Sequence, residues 1–421
     1  MIRVVITVLL YVTLAIHANG ETITGSSSLR SDSLIYRQLR DYGIEFTTGN
    51  EVKLLMSGQD KFDDMFAAIR KARRSVNLEY FNFRNDSIAS MLFDILREKR
   101  REGVQVRALF DGFGNDSNNQ PLKKHHIRSL RHDSIDIYEF DPIRFPWLNH
   151  IWPRDHRKIV VIDDSVAYTG GMNVADYYIN GTEQVGAWRD MHCRITGPAV
   201  AQLQDIFARI WKKTTGKTLP SEAVNRKSED SKSVNHKSPV VVGIINREPQ
   251  TTNDVMRYFY VNAIDDAQDS IHIINPYFTL IPCIKKAIKR AIRRGVKVDI
   301  MLSLKSDIPL TPDCALYNAH KLMKHGAHVW LYKPGFHHSK IMMVDGRFCT
   351  VGSTNLDARS TRFDYEENAV IIDSCVTRQL DDMFYRDTQE SLFLTPGTWD
   401  EVRTPWQKFR GWFAHLLTPF L

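Results

Sequence analysis

The sequence has few cysteines and no arrangement of them that would build a disulfide framework. The five cysteines are Cys193, Cys283, Cys314, Cys349 and Cys375. Their number is odd and no two form a CxxC pair, which excludes a disulfide-stapled fold or a cysteine zinc site as the basis of this protein. The adjacent pairs His125–His126 and His337–His338 lack HxxxH spacing or an acidic cluster. No metal and no cofactor is therefore predicted.

Long hydrophobic runs are also scarce. The longest uncharged, mostly apolar run is Val4–Ile16, with 13 residues, whereas a membrane-spanning helix needs about 20. Arg3 precedes this run and the small residues Ala18 and Gly20 follow it, which is typical of a signal peptide. We predict that residues 1–20 are an export signal or an uncleaved anchor at the cell membrane. With Arg3 cytoplasmic, the rest of the chain would be extracytoplasmic in either case.

Charge and length restrict the class of protein further. The net charge of +7 and the pI near 9.0 favour polyanionic partners such as nucleic acid, anionic lipid headgroups or phosphorylated substrates. The chain of 421 residues, with 43% hydrophobic and 25% charged residues, has an ordinary globular composition. This length predicts about two domains.

Two stretches of the chain share one pattern, the first starting at Phe62 and the second at Tyr258. Each has an amphipathic helix, a short β-rich run, a basic helix closed by Gly103 or Gly295, and an alternating strand. Strands that alternate with helices indicate an α/β fold. The repetition predicts two similar domains, each a mixed β-sheet flanked by helices.

These patterns divide the chain into six segments. They are a signal peptide or anchor (1–20), an N-terminal segment (21–53), a first repeat domain (54–220), a polar linker (221–238), a second repeat domain (239–403) and an amphipathic C-terminal segment (404–421). In the last segment Trp406, Phe409, Phe413 and Leu416 recur at helical spacing among basic residues. This pattern is typical of an interfacial helix, or of a helix packed on the core. The aromatic loop 140–153 could line a lipid entrance or simply pack.

A chemical motif occurs once in each repeat. Each copy reads HxK, four apolar residues, Asp, six residues and then G-[GS]-x-N. Its members are His156, Lys158, Asp163 and Asn173 in the first copy and His338, Lys340, Asp345 and Asn355 in the second. Because alternate residues of a strand share a face, each His and Lys are predicted to point the same way. A polar turn and a second strand then return the Asn beside them, at a helix N-terminus suited to phosphate.

Two such sites that face each other would form one shared active site. One neutral imidazole would attack phosphorus, and the other, protonated, would give its proton to the leaving oxygen. The lysines and asparagines would stabilise the transition state without a metal. The resulting phosphohistidine would then be attacked by an alcohol or by water.

The two HxKxxxxD motifs resemble those of the phospholipase D superfamily, and the similarity extends from about Leu54 to the C-terminus. The segments at 188–200 (WRDMHCRITGPAV), 274–278 (INPYF) and 405–421, together with those around both motifs, resemble bacterial cardiolipin synthases. Such proteins commonly begin with two transmembrane helices, whereas the only comparable segment in this sequence is the short run described above. The resemblance implies two phospholipase D-like domains with one active site.

The resemblance also implies roles for the matched residues. His156 is expected to be the nucleophile and His338 the general acid, or the reverse. Lys158, Lys340, Asn173 and Asn355 are expected to hold phosphate oxygens. Asp190 and Glu366 fall where the family places the acids that orient the histidines. Asp163 and Asp345 are expected to brace the site.

The implied reaction moves a phosphatidyl group between two phosphatidylglycerol molecules to give cardiolipin and glycerol. The partners are then an anionic phospholipid and the membrane surface. The motifs themselves specify only a phosphodiester, so a phospholipase D-type hydrolase or an exported phosphodiesterase or nuclease is the alternative. Nucleic acid is not expected, because no groove of stacking aromatics and basic residues is legible. A non-enzymatic lipid-binding scaffold is a third reading, although both motifs are intact.

Overall fold

The computed structural model describes residues 30–144, 153–219, 240–252, 254–308 and 311–418. The predicted signal peptide or anchor and the polar linker lie outside the described residues, as does most of the aromatic loop 140–153. Within the described ranges, no helix is both long and apolar enough to cross a membrane.

The first half of the described chain alternates strands with helices. Its elements are α1 (Ser31–Asp41), β1 (Phe46–Leu55), α2 (Gly58–Arg70), β2 (Ser75–Tyr80), α3 (Ser87–Arg101), β3 (Gln105–Asp111), α4 (Gly112–Asp116), α5 (Lys124–His132), β4 (Asp136–Phe140), β5 (Ile159–Ile162), β6 (Val166–Gly170), α6 (Tyr177–Asn180), β7 (Ala187–Arg189), β8 (His192–Thr196) and α7 (Val200–Thr215). Side chains cap several helices: Ser57 accepts from the backbone N–H of Asp60, and Asp86 accepts from that of Ala89.

The second half repeats this order and adds helices at its end. Its elements are β9 (Val240–Arg247), α8 (Val255–Asp266), β10 (Ser270–Ile274), α9 (Pro282–Arg293), β11 (Lys297–Ser303), α10 (Thr311–Met323), β12 (His328–Tyr332), β13 (Gly335–His337), β14 (Ile341–Val344), β15 (Phe348–Gly352), α11 (Ala358–Arg362), β16 (Glu366–Ile372), α12 (Ser374–Gln389), β17 (Ser391–Phe393), α13 (Pro396–Val402) and α14 (Pro405–Leu416).

The strands form one continuous mixed sheet through both halves. Its order is β17-β12-β11-β10-β14-β15-β16-β9-β1-β8-β6-β5-β2-β3-β4. Three strands at each flank are parallel, while β1 and β9 pair antiparallel at the centre. Outward from that centre both halves run through equivalent strands, so the predicted α/β fold of two similar domains is confirmed. The predicted domain boundary at residue 54 falls within β1.

Alternation along the strands gives the sheet two buried faces. In β5, Val160 and Ile162 pack into a core with α2 and α3, whereas Ile159 and Val161 face the opposite core with α7 and α12. In the second half β14 alternates in the same way between two cores. Burial on both faces fixes the two motif strands in position. The His and Lys of each motif lie directly before these strands and are positioned with them.

The motif aspartates lie at the far ends of these strands from the histidines. Asp163 accepts hydrogen bonds from the backbone N–H groups of Arg73, Arg74 and Ser75 at 2.7–2.8 Å. In the second half Asp345 accepts from three successive N–H groups at 2.8–2.9 Å. Each carboxylate therefore ties the start of a neighbouring strand to the turn after its own strand.

We expect Asp345→Ala to lower the free energy of unfolding by about 2 kcal/mol, because three charge-assisted hydrogen bonds disappear from a partly exposed turn. Chemical denaturation measures this change. The matched control is Asp382→Ala, which removes an exposed carboxylate from α12. Equal stability of the two variants would contradict the bracing role.

Candidate active site

The backbone of each motif histidine is bonded to the opposite half of the molecule. The N–H of His156 donates to the carbonyl oxygen of Tyr365 at 3.0 Å, just before β16. The N–H of His338 donates to the carbonyl oxygen of Arg189 at 2.6 Å, and β13 pairs in parallel with β7. The two motifs are thus fixed in position across the seam between the halves.

The side chains of the two histidines cross the same seam. His156 Nδ1 lies 3.0 Å from Glu366 Oε1, and His338 Nδ1 lies 2.6 Å from Asp190 Oδ2. Both carboxylates are fully buried. When Nδ1 carries its proton toward the carboxylate, the lone pair of each ring lies on Nε2. Each half therefore supplies a histidine and the acid that bonds the histidine of the other half.

The two motif lysines are buried beside the histidines. Lys158 Nζ donates to the backbone oxygen of His156, and Lys340 Nζ lies 2.9 and 3.0 Å from the two ring nitrogens of His338. Burial lowers the pKa of Lys158, and it lowers the pKa of Lys340 to about 7 although Asp190 opposes the change. An anionic phosphate at this point would give both ammonium groups a counter-charge.

Charged groups of both motifs act on the pKa values of the two histidines. Burial lowers the pKa of His156 well below its usual value, and Lys158, Lys340 and His338 add to that change. The pKa of His338 is also lowered, by burial and then by Lys340, while Asp190 opposes it. Burial raises the pKa of Glu366 to about 7. Charges of both halves therefore act on one another in a single low-dielectric site.

Asn173 and Asn355 lie in the loops after β6 and β15. Both side chains are buried, and within the described ranges neither amide oxygen has a hydrogen-bond partner. The expectation that these residues stand at helix N-termini was wrong. The next helices, α6 and α11, begin only at Tyr177 and Ala358, since Asp176 and Asp357 occupy the N-cap positions. The two amides are therefore presented by loops.

Sequence reasoning missed Lys61, which lies behind the first motif. Lys61 is fully buried, and its ammonium donates to the backbone oxygens of Met172 and Asn173 at 3.1 and 2.9 Å. Burial lowers its pKa well below the usual value. A signal was present, because this lysine falls on the apolar face of α2 with Phe62 and Met65. A charged residue at such a position needs a polar partner inside the protein.

A wall of aromatic side chains around His338 was also missed. Ring centroids lie within 6.4 Å of that imidazole for Tyr178, Trp188, Tyr277 and Phe336. On the other side, the ring of Phe81 lies 5.0 Å from that of His156. The aromatic residues around His338 lie in or next to the segments that carry the family resemblance. They come together, however, only because the two halves dock. They surround the charged groups with an apolar lining.

We expect Lys61→Met to weaken the binding of inorganic phosphate by about tenfold, because two buried carbonyls lose their donor and the Asn173 loop shifts. Isothermal titration calorimetry measures the affinity, and thermal unfolding checks that the variant is folded. Met256, whose sulfur lies 3.6 Å from Thr354 Oγ1 behind the second motif, offers the matched control Met256→Leu. A folded Lys61→Met variant with wild-type affinity would show that Lys61 does not position this loop.

Comparisons with known proteins agree with this arrangement. A family model described as "Cardiolipin synthase, PLD-like domain" matches residues 65–211 and 260–388, one segment in each half. A cardiolipin synthase of Oceanobacillus iheyensis is 32% identical over 388 residues, which cover 92% of this chain and 79% of that protein. The probable cardiolipin synthase YwiE of Bacillus subtilis is 34% identical over 85% of this chain and 70% of its own length.

A solved structure shows the same fold at lower sequence identity. The phosphatidylserine synthase of Haemophilus influenzae superposes with a TM-score of 0.69 at 15% identity, over 92% of this chain and all of that one. This likeness supports the architecture of two joined halves, while the family follows from the sequence matches. The chain belongs to the cardiolipin synthase family, a group of phosphatidyltransferases within the phospholipase D superfamily.

Proposed function

We propose that this enzyme transfers a phosphatidyl group from one phosphatidylglycerol to a second, giving cardiolipin and glycerol through a phosphohistidine intermediate. The observation that carries the proposal is the crossed pair of buried histidine–carboxylate contacts, His156 with Glu366 and His338 with Asp190. Such an arrangement provides one nucleophile and one proton carrier at a single phosphorus. The names of the relatives support cardiolipin as the product.

In the first step His156 Nε2 attacks the phosphorus of the donor lipid. A nitrogen–phosphorus bond forms, and the bond from phosphorus to the glycerol headgroup oxygen breaks. His338 gives its proton to that oxygen, so that glycerol leaves as a neutral alcohol. Glu366, at Nδ1 of His156, stabilises the positive charge that develops on the attacking ring.

In the second step the terminal hydroxyl of another phosphatidylglycerol takes the place of glycerol. His338, now neutral, accepts the hydroxyl proton, and the oxygen attacks phosphorus. The nitrogen–phosphorus bond breaks, cardiolipin is released, and His156 returns to its initial state. The same two residues therefore serve both steps with their proton roles reversed.

The remaining motif residues hold the phosphate. Lys158 and Lys340 supply two buried positive charges, and Asn173 and Asn355 supply amide donors, since rotation of an amide turns its NH2 group toward the oxygens. These four groups surround the negative charge that the transition state spreads over the non-bridging oxygens. An anionic substrate also raises the pKa of His338, which favours the proton that the first step requires.

In detergent with labelled phosphatidylglycerol, we expect wild type to form cardiolipin and glycerol. His156→Ala and His338→Ala should lose at least about a thousandfold in rate, since each removes a group used in both steps. Thin-layer chromatography identifies the products. Phosphatidic acid without cardiolipin would make the enzyme a hydrolase. Cleavage of DNA with no lipid turnover would indicate a nuclease.

The same variants assign the nucleophile. A nitrophenolate leaving group departs without a proton donor. With a lipid analogue that carries this group, we therefore expect His338→Ala to become labelled with phosphatidyl on His156. His156→Ala should stay unlabelled. The opposite labelling pattern would exchange the two roles.

We expect kcat/KM to peak near pH 7, because Glu366, with a pKa of about 7, loses the charge that supports His156 as pH falls, while Lys340, with a pKa of about 7, loses its charge as pH rises. His338, whose pKa is also lowered, loses its proton in the same direction. A pH–rate profile measures this. The variant Lys340→Arg stays charged at high pH. If deprotonation of Lys340 causes the alkaline limb of the profile, this limb moves to higher pH in the variant. Activity that increases from pH 7 to pH 9 would contradict the assignment.

The proposed substrate requires access to a membrane. We propose a membrane-associated enzyme with its catalytic halves on the extracytoplasmic side, an orientation that depends on residues 1–20. Those residues lie outside the described ranges, so the support for membrane contact comes from the lipid substrate and from the surface described next.

A further inference from the structure

Helix α14 exposes an unusual concentration of large apolar side chains. The exposed large hydrophobic residues of this helix and its C-cap are Trp406, Phe409, Trp412, Phe413, Leu416 and Leu417, with exposed fractions of 38–63%. They recur three or four residues apart and therefore share one face of the helix. The rings of Trp406, Phe409, Trp412 and Phe413 also contact one another. We call this face the aromatic face.

The opposite side of α14 is packed tightly against α10. A Cβ atom at Gly411 would lie 2.5 Å from the carbonyl oxygen of Asp313, and Ala414 is fully buried. Arg403 and Arg410 both pair with the carboxylate of Asp313. The sequence left open whether this helix packs on the core or lies at an interface. Its small residues pack, whereas its aromatic residues face solvent, and the helix cannot turn to bury them.

Positive charge borders the aromatic face. Lys408 and Arg410 lie on its two sides along α14. Two exposed lysines add to this charge, Lys321 in the neighbouring helix α10 and Lys324 just after its end; Lys321 lies over the ring of Tyr317, which is 5.2 Å from that of His415. Lys408 pairs with the exposed Asp400, and Arg410 shares Asp313 with Arg403, so the excess positive charge comes mainly from Lys321 and Lys324. An apolar face with basic flanks matches the layered chemistry of an anionic bilayer surface.

Packing connects the aromatic face to the active site through one intervening helix. Asn318 of α10 donates to the carbonyl oxygen of Thr279 at 2.9 Å. Two residues earlier, the ring of Tyr277 stands 5.9 Å from that of His338, and its hydroxyl donates to Asp307 at 2.7 Å. In the loop that carries Asp307, Leu304 and Ile308 are also exposed apolar residues. Helix α14 is thus joined to the segments that line the site through α10.

We propose that the aromatic face of α14 is a membrane-docking surface that inserts into the interface of an anionic phospholipid bilayer and holds the active site against its lipid substrate. The choice of occupant rests on the proposed function, because the substrate is itself an anionic phospholipid. It also rests on the basic flanks, which favour lipid headgroups over a neutral apolar partner. A second copy of this chain is the main alternative occupant.

Tryptophan fluorescence tests the proposal without relying on activity. Vesicles of phosphatidylglycerol and phosphatidylcholine with brominated acyl chains are expected to quench the full-length protein more strongly than the variant Trp406→Phe/Trp412→Phe. Brominated vesicles of phosphatidylcholine alone should quench it less. Equal quenching of wild type and variant, or equal quenching by both vesicle types, would overturn the proposal.

A second variant separates docking from catalysis. Trp406→Ser/Phe409→Ser/Trp412→Ser/Phe413→Ser should bind anionic vesicles about tenfold more weakly, and turn over vesicle substrate correspondingly slowly, while it keeps wild-type rates on a short-chain soluble phosphatidylglycerol. Met91→Ser, whose exposed fraction of 49% equals that of Phe409, is the matched control and should bind as wild type does.

The outcomes distinguish the two proposals. Vesicle binding that depends on the aromatic face, in an enzyme that turns over no phosphatidylglycerol of either kind, would sustain the docking surface and overturn the proposed reaction. Sedimentation that shows a wild-type dimer and a monomeric quadruple variant would identify the face as a contact between copies and overturn membrane docking.

Discussion

The active site depends on the docking of the two halves along the antiparallel pairing of β1 with β9. This contact makes one sheet of two repeats and brings the segments before β5 and β14 to the same place. Without it His156 would lack Glu366, and His338 would lack Asp190. A histidine at a strand end is common and inert. Burial beside a carboxylate of another domain is what makes these two chemically distinctive.

The repeats are similar in backbone but not in the chemistry behind each motif. A buried lysine supports the loop after β6, through the carbonyls of Met172 and Asn173, whereas Met256 approaches Thr354 in the loop after β15. The surroundings of the carboxylates also differ. Glu366 accepts a hydrogen bond from Ser353, whereas the corresponding residue of the first motif is Gly171, and Asp190 occupies the space that a side chain there would need. Asymmetry of this kind is consistent with the proposed mechanism, in which the two histidines have different roles.

Much of this could be predicted from the sequence because the signals were local or duplicated. The apolar strands at 159–162 and 341–344, the turns at Asp163 and Asp345, and the helices closed by glycine follow from pattern and propensity. The repetition of the motif predicted a shared site. The seam contacts could not be derived from pattern, because His156 and Glu366 are 210 residues apart. The resemblance named the two acids but did not say which histidine each one contacts. The loop geometry around Asn173 and Asn355 was mispredicted, since aspartates further along the chain take the N-cap positions.

The seam has a consequence for how this protein can change over time. Each half holds the carboxylate that contacts the histidine of the other, so neither half can be exchanged or altered on its own without changing the surroundings of a histidine that it does not contain. A substitution in one repeat is therefore expected to restrict the residues that the other repeat tolerates.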